Sequence, residues 1–104
     1  MTQEYRPLET TLRKGGFDLR QVWRWKNIAV FEKTKPDMAL SSYETVIIET
    51  RSRSTLLEGF EAPPREVYPS SKMWGRKGWT YNEKRTAKDK AFALVERMER
   101  KRKL

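Results

Sequence analysis

The residue types best suited to recognition chemistry lie together between Tyr68 and Tyr81, where large aromatic rings alternate with basic side chains. A protein binds a nucleobase by stacking it on an exposed ring, and it binds the adjoining phosphate with a nearby Lys or Arg. The rings are Tyr68, Trp74, Trp79 and Tyr81, and the cations are Lys72, Arg76 and Lys77. The pattern indicates a surface that contacts nucleic acid, with Trp74 and Trp79 as candidate aromatic contacts.

The same rings also have a structural interpretation, in which they cover one end of a sheet and seat the helix that follows. A small domain without disulfides needs its largest rings for the core, which favours this interpretation. The two interpretations are compatible if the rings point inward while Lys72, Arg76 and Lys77 point outward. The sequence does not show which way the rings point, so both interpretations stay open.

The net charge of the chain, +9, is concentrated in its last forty residues. Residues 65–104 hold thirteen Lys and Arg against five Asp and Glu, a net of +8, whereas residues 1–64 hold ten against nine. A basic region of this kind points to nucleic acid or to an acidic protein as the partner. The predicted binding surface consists of Lys72, Arg76, Lys77, Lys84, Arg85 and Lys88.

A β-hairpin is predicted near the start of the chain. Apolar residues alternate from Phe17 to Trp25, which indicates a strand, and Asn27 favours a tight turn into a second strand from Ile28. The expected register pairs Trp25 with Ile28, Trp23 with Val30 and Val22 with Phe31. This register buries Leu19 beside both tryptophans and leaves Phe31 on the outer face among Arg20, Arg24 and Lys33. Phe31 is therefore a third candidate aromatic contact. The alternative, favoured because binding platforms usually present more than one ring, is that this face is an ordinary solvated sheet face or is covered by the helix.

The remaining elements predict an α+β fold. Residues 1–16 lack a sustained period and are expected to form a flexible arm, so residues 17–104 form the single domain. Tyr43 to Arg51 reads as a central strand because Val46, Ile47 and Ile48 are apolar on both faces. A helix capped by Asn82 is expected to reach about Arg100. We therefore predict an antiparallel sheet of three or four strands with one carboxy-terminal helix packed across it.

Several kinds of chemistry are disfavoured by composition. The chain has no cysteine and no histidine, which removes disulfides, thiolates and the commonest general base and zinc ligand. Asp37 and Glu49 followed by Arg51 resemble a magnesium nuclease pattern, but arginine stands in place of lysine and stays protonated. We expect a protein that is not an enzyme and that has no metal and no cofactor.

From Tyr43 to Leu94 the chain resembles small, mostly uncharacterised proteins encoded by bacteriophages and prophages. The resemblance rests on a strand, a Tyr68-Pro69-Ser70 turn, Trp74-Gly75, Gly78-Trp79-Thr80-Tyr81 and an alanine-spaced helix. It implies a small accessory protein in a bacterial cytoplasm. It implies no catalytic residue.

The amino terminus has no apolar signal segment, and the longest apolar stretch is Val46-Ile47-Ile48, so a cytoplasmic location without a membrane span is expected. The leading hypothesis is a non-enzymatic protein that binds nucleic acid, single-stranded or duplex, or a nucleic-acid-handling complex. The alternative is a phage-type interaction module that docks on an acidic host protein.

Overall fold

A computed structural model of the chain describes residues 7–37, 39–51 and 65–102. Within these residues the chain forms seven β-strands and one α-helix. They are β1 (Thr11–Lys14), β2 (Phe17–Trp25), β3 (Ile28–Thr34), β4 (Ser42–Ile47), β5 (Glu49–Arg51), β6 (Arg65–Val67), β7 (Gly78–Tyr81) and α1 (Lys84–Arg102).

The main sheet is antiparallel, has the strand order β1-β2-β3-β4-β7, and carries α1 across one face. Strands β5 and β6 form a separate two-stranded sheet. The predicted α+β class with its carboxy-terminal helix is confirmed, with five strands in the main sheet of the described residues where three or four were expected.

The prediction of a flexible arm over residues 1–16 is wrong at Thr11–Lys14, which pairs with β2 as an edge strand. Residues 1–6 lie outside the described residues. The local pattern failed there because Leu12 is the only large apolar residue in β1, so the strand owes its position to pairing with β2 and not to its own periodicity.

Strand β2 contains a bulge that changes which residues share a face. Trp25 pairs with Ile28 and Trp23 with Val30, as predicted, but Gln21 pairs with Phe31 and Val22 is the extra residue. An extra residue reverses the inward and outward alternation beyond it. The expected pairing of Val22 with Phe31 is therefore wrong.

As a result, Val22 packs on the helix side of the sheet and Leu19 on the opposite side. The sequence-based assignment placed each of these residues on the other face. The turn also differs from expectation, because Lys26 and not Asn27 takes the left-handed conformation, at φ 51°.

The face of the sheet under α1 holds the larger of two cores. Ile28 and Val30 of β3 are fully buried against Ala87, Ala91 and Leu94 of the helix. The helix residues recur at spacings of three and four, which keeps them on one side of the helix. Half-buried rings and side chains enclose this core: Trp23, Trp25, Tyr43, Trp79, Tyr81, Ile47, Val95 and Met98.

The opposite face, which we call the outer face, holds a second core. Ala29 and Phe31 alternate with Ile28 and Val30 along β3, so they point away from the helix. Val46 and Ile48 lie beside them, and Tyr68 and Trp74 pack on top. The apolar residues near the end of β4 thus serve both faces, as expected for a central strand.

The helix begins one residue later than the predicted cap at Asn82 implies. Helix α1 begins at Lys84, and the backbone N–H of Ala87 donates to the carbonyl of Glu83 at 3.1 Å. Glu83 thus precedes the helix, at the position expected for Asn82. Such small differences at helix ends are ordinary.

One buried hydrogen bond fixes the helix to the sheet. The hydroxyl of Thr45, a fully buried residue of β4, donates to the backbone carbonyl of Ala87 at 2.7 Å. Replacing Thr45 with valine keeps the shape but removes the donor, while the carbonyl keeps its place in the helical ladder. We expect Thr45→Val to lower the free energy of unfolding by about 1 kcal/mol in urea denaturation. Thr86→Val on the exposed side of the helix is the matched control, and an equal loss in both variants would contradict the assignment.

Candidate functional site

The six predicted cations lie at the two ends of the edge strand β7. Lys72, Arg76 and Lys77 precede the strand and are called the loop group; Lys84, Arg85 and Lys88 follow it and are called the helix group. The ends of this four-residue strand are separated by about 10 Å at the usual rise per residue. The structure thus places the predicted surface along one edge of the sheet, in two parts.

Four of the six cations are available to a ligand. Lys72, Arg76, Lys84 and Arg85 are exposed and make no ion pair with any residue that the structure describes. Exposed, unpaired cations keep their charge for a partner, whereas paired ones must first lose an existing contact.

The other two cations are less exposed than these four. The ammonium of Lys77 lies 2.9 Å from Oε1 of Glu49, and this hydrogen bond lowers the pKa of the Glu49 carboxyl. Lys88 is half-buried on the helix. Lys77 and Lys88 are therefore weaker candidates for phosphate contact than sequence alone suggests.

The helix group stands at an electrostatically unfavourable place for the fold. The first turn of α1 contains Lys84 and Arg85 and no acidic residue. The amino-terminal end of a helix carries partial positive charge, so cations there cost stability instead of adding it. Glu83, exposed directly before the helix, supplies one negative charge against these two cations.

Two of the three candidate aromatic contacts are occupied by packing. Phe31 is fully buried beneath Tyr68, their ring centroids 5.2 Å apart, so the expectation of an exposed Phe31 is wrong. Trp79 is half-buried against the helix core, and the ammonium of Lys90 covers its ring at 4.3 Å. Tyr68 lies on the outer face with Phe31, and Trp79 lies on the helix face. The stretch from Tyr68 to Tyr81, called the aromatic segment, therefore divides between the two cores.

Trp74, the third candidate, lies at the rim of a pocket on the outer face. Its indole N–H donates to the hydroxyl of Thr80 at 3.0 Å, and its ring is tilted against Tyr68 at 6.5 Å. The pocket, called the outer pocket, has a volume of about 380 Å³. It is lined by Lys14, Gly15, Phe17, Leu19, Lys33, Glu44, Tyr68, Ser71, Trp74 and Thr80.

A buried polar network forms part of the wall of the outer pocket. Glu44 is only 5% exposed, and its carboxylate accepts a hydrogen bond from the Tyr68 hydroxyl at 2.5 Å and one from Lys33 at 3.2 Å. Burial, together with the neighbouring Glu44 carboxylate, raises the pKa of Tyr68 far above its ordinary value. The positive charge of Lys33 thus balances the carboxylate, and the Tyr68 hydroxyl supplies a hydrogen bond. A charge is kept inside a protein only when it is paired and hydrogen-bonded in this way.

Cations also cover the aromatic walls. The ammonium of Lys14 lies 5.1 Å from the Tyr68 ring centre and donates to the carbonyl of Pro69 at 2.8 Å. Lys33 and Lys35 lie 4.3 Å and 5.4 Å from the centre of Phe17. The pocket therefore combines rings with positive charge, as sites for anionic aromatic ligands do.

Sequence reasoning missed the outer pocket as a site. Lys14 belongs to the predicted arm, the alternating pattern put Phe17 on the same face as Trp23 and Trp25, and Glu44 is an ordinary acidic residue in a strand. These residues meet through pairing of β1, β2, β3 and β4, a long-range arrangement. Among the lining residues, Tyr68 and Trp74 carried a signal as rings of the predicted recognition segment, and Lys33 carried one as a cation predicted around Phe31.

The two carboxylates of the nuclease-like pattern lie in separate elements, Asp37 in the turn after β3 and Glu49 in β5. Asp37 lies in an exposed turn and Glu49 is paired with Lys77. Among the described residues, no three His, Cys, Asp or Glu side chains are grouped closely enough to hold a metal ion.

Helix α1 is too polar to cross a membrane, and no other helix in the described ranges is long and apolar enough to do so. No known protein family, curated protein or solved structure matches this chain.

Proposed function

We propose that this chain is a small, non-enzymatic nucleic-acid-binding protein that holds the phosphate backbone along the β7 edge. The observation that carries the proposal is the position of Lys72, Arg76, Lys84 and Arg85, which are exposed, at both ends of one strand, and without an ion-pair partner among the described residues. Phosphate contacts supply most of the affinity in sequence-independent binding. The regional charge of +8 supports the same partner.

The helix group adds a second argument. Lys84 and Arg85 oppose the helix dipole and so cost the fold stability. A bound phosphate at that end would be attracted by both cations and by the dipole. Binding of a polyanion therefore turns an unfavourable charge arrangement into a favourable one.

The test is the salt dependence of binding, measured by fluorescence anisotropy with labelled single-stranded and duplex oligonucleotides. Four phosphate contacts predict a slope of log K against log salt of about −2.8 on a single strand and about −3.6 on a duplex. Absence of binding at low salt, or binding that salt does not weaken, would overturn the proposal.

A matched pair of variants on the same helix locates the surface. Arg85→Ala is expected to reduce the magnitude of the salt slope by about 0.7 to 0.9, because one phosphate contact is lost. Arg97→Ala removes an identical exposed side chain about 18 Å further along the helix, and its slope should match the parent protein. Equal slopes for the two variants would place the nucleic acid elsewhere.

The second candidate function is docking on an acidic protein. It is favoured by Phe92, which is 50% exposed on α1 and meets Trp23 edge-on at 5.4 Å between centroids. Exposed aromatic residues among cations are typical of protein interfaces. This candidate predicts no affinity for free oligonucleotides, so the anisotropy titration distinguishes the two functions.

A further inference from the structure

The outer pocket has the dimensions and walls of a ligand site. Its volume of about 380 Å³ lies within the range of small-molecule pockets, and Phe17, Tyr68 and Trp74 give it three aromatic sides. It opens on the sheet face opposite the helix, where Tyr68 and Trp74 cover the second core. A planar group could enter without disturbing α1.

The charges around the pocket favour an anionic ligand. Lys14 and Lys33 line it, and Lys35 lies over the Phe17 ring. Glu44 contributes a single negative charge, which Lys33 and the Tyr68 hydroxyl already satisfy. The positive charge of Lys14 and Lys35 is therefore left for a ligand.

The pocket also adjoins the loop group. Ser71 lines the pocket and Lys72 follows it; Trp74 lines the pocket and Arg76 comes two residues later. A backbone held by Lys72 and Arg76 would thus pass the mouth of an aromatic-walled cavity.

From this placement we infer that the outer pocket takes one unpaired base of a single-stranded nucleic acid while the loop group and Lys14 hold the adjoining phosphates. The inference rests on the proposed function and adds that the preferred ligand is single-stranded. In a duplex the bases are stacked inward, so inserting one into the pocket would require unstacking it at a cost of a few kcal/mol. A single strand offers its bases freely.

The test compares three labelled ligands in anisotropy titrations at one low salt concentration: a thymidine dodecamer, an abasic dodecamer with the same phosphates, and a duplex of that length. We expect the thymidine dodecamer to bind at least about fivefold more tightly than the abasic one, the effect of stacking a single base. Equal affinity for the thymidine and abasic strands would overturn this inference while leaving the proposed function standing. Failure of all three ligands to bind would overturn both.

A matched pair of phenylalanine variants assigns the effect to the pocket. Phe17→Ala removes a wall of the pocket, whereas Phe92→Ala removes an exposed ring on the helix side. Phe17→Ala should lower affinity for the thymidine strand about fivefold or more and leave the abasic strand unaffected; Phe92→Ala should change neither. Equal effects of the two variants would contradict the assignment.

A third variant keeps the test independent of folding defects. Ser71→Leu adds an apolar side chain at an exposed position that lines the pocket, without changing either core. It should reproduce the selective loss of thymidine-strand binding with unchanged thermal unfolding. Full thymidine-strand affinity in this variant would overturn the pocket assignment.

Discussion

Gly78→Ala is expected to lower the free energy of unfolding by about 2 to 3 kcal/mol, because the added methyl group has no room beside Trp74. A Cβ at Gly78 would lie 2.5 Å from Cζ3, 2.6 Å from Cε3 and 2.8 Å from Cη2 of the Trp74 ring. Gly78 is buried at the start of β7, so the Trp74 ring or the strand must shift to admit the methyl group.

The sign of this effect is decided by packing and not by backbone conformation. Gly78 does not have the positive φ found at Gly15, Gly16 and Gly75, so alanine fits its backbone. At such a position, replacing glycine usually stabilises a protein by about 0.4 to 1 kcal/mol through the unfolded state. Contact with the indole ring must outweigh that gain.

A double-mutant cycle isolates the contact. In a Trp74→Ala background the ring is absent, and Gly78→Ala should cost little or should stabilise. Urea unfolding of the parent, the two single variants and the double variant gives the coupling free energy, which we expect to exceed about 1 kcal/mol. A cost of Gly78→Ala that is the same in both backgrounds would contradict the proposed contact.

This contact explains the spacing of the aromatic segment. The segment turns back on itself, with the Gly75 N–H donating to the Gly78 carbonyl at 2.8 Å and Trp74 lying over Gly78. Trp74 then faces the outer core, and Trp79 the helix core. One short segment thereby supplies rings to both faces of the sheet, whereas the structural interpretation from sequence placed them over one end of the sheet and beneath the helix.

Elements with a strong local pattern were predictable from sequence. The alternation around Trp23 and Trp25 and the helical spacing from Ala87 to Met98 each describe one amphipathic surface, and both elements are observed. Their packing follows from the need to bury one face. The α+β class could be predicted from these elements alone.

Features that depend on a single backbone irregularity could not be predicted. The bulge at Val22 leaves the composition of β2 unchanged but moves Leu19 to the outer face and Val22 to the helix face. A strictly alternating pattern cannot reveal an extra residue, because hydrophobic residues lie on both sides of the bulge. Phe31 is fully buried because it belongs to the outer core, whereas the local sequence predicted that it would be exposed.

The candidate site also has a part that the sequence predicted and a part that it did not. The loop group and the helix group are near each other in sequence, and charge counting found them. The outer pocket requires Lys14 from β1, Lys33 from β3 and Glu44 from β4 to meet Tyr68, and no local pattern links these residues. Long-range strand pairing therefore determines the part of the site that the sequence did not show.

Tyr68→Phe is expected to lower the free energy of unfolding by about 1 to 3 kcal/mol at neutral pH, because it removes the hydroxyl that donates to the buried Glu44 carboxylate. The phenyl ring still covers Phe31, so the loss reports the polar contact and not the packing. Urea unfolding of both proteins measures the difference. Tyr81→Phe is the matched control, since Tyr81 is half-buried in the other core, away from Glu44.

The same pair of proteins should respond differently to alkaline pH. Burial raises the pKa of Tyr68 in the folded state, so above the ordinary tyrosine pKa of about 10 the unfolded chain releases a proton that the folded chain keeps. The unfolded state then binds fewer protons, and stability falls as pH rises, by about 1.4 kcal/mol per pH unit from this group. The contribution of Tyr68 is therefore complete below pH 10 and is lost progressively above it.

Phenylalanine cannot ionise, so Tyr68→Phe should lose stability less steeply than the parent, and its deficit should shrink as pH rises from about 10 to about 11.5. The pKa values of Tyr43 and Tyr81 are also raised, but both residues are present in the parent and in the variant, so their contributions cancel. Urea midpoints measured at several pH values across this interval test the prediction. Parallel pH profiles for the two proteins would show that Tyr68 ionises as readily in the folded chain as in the unfolded one, which would contradict its buried contact with Glu44.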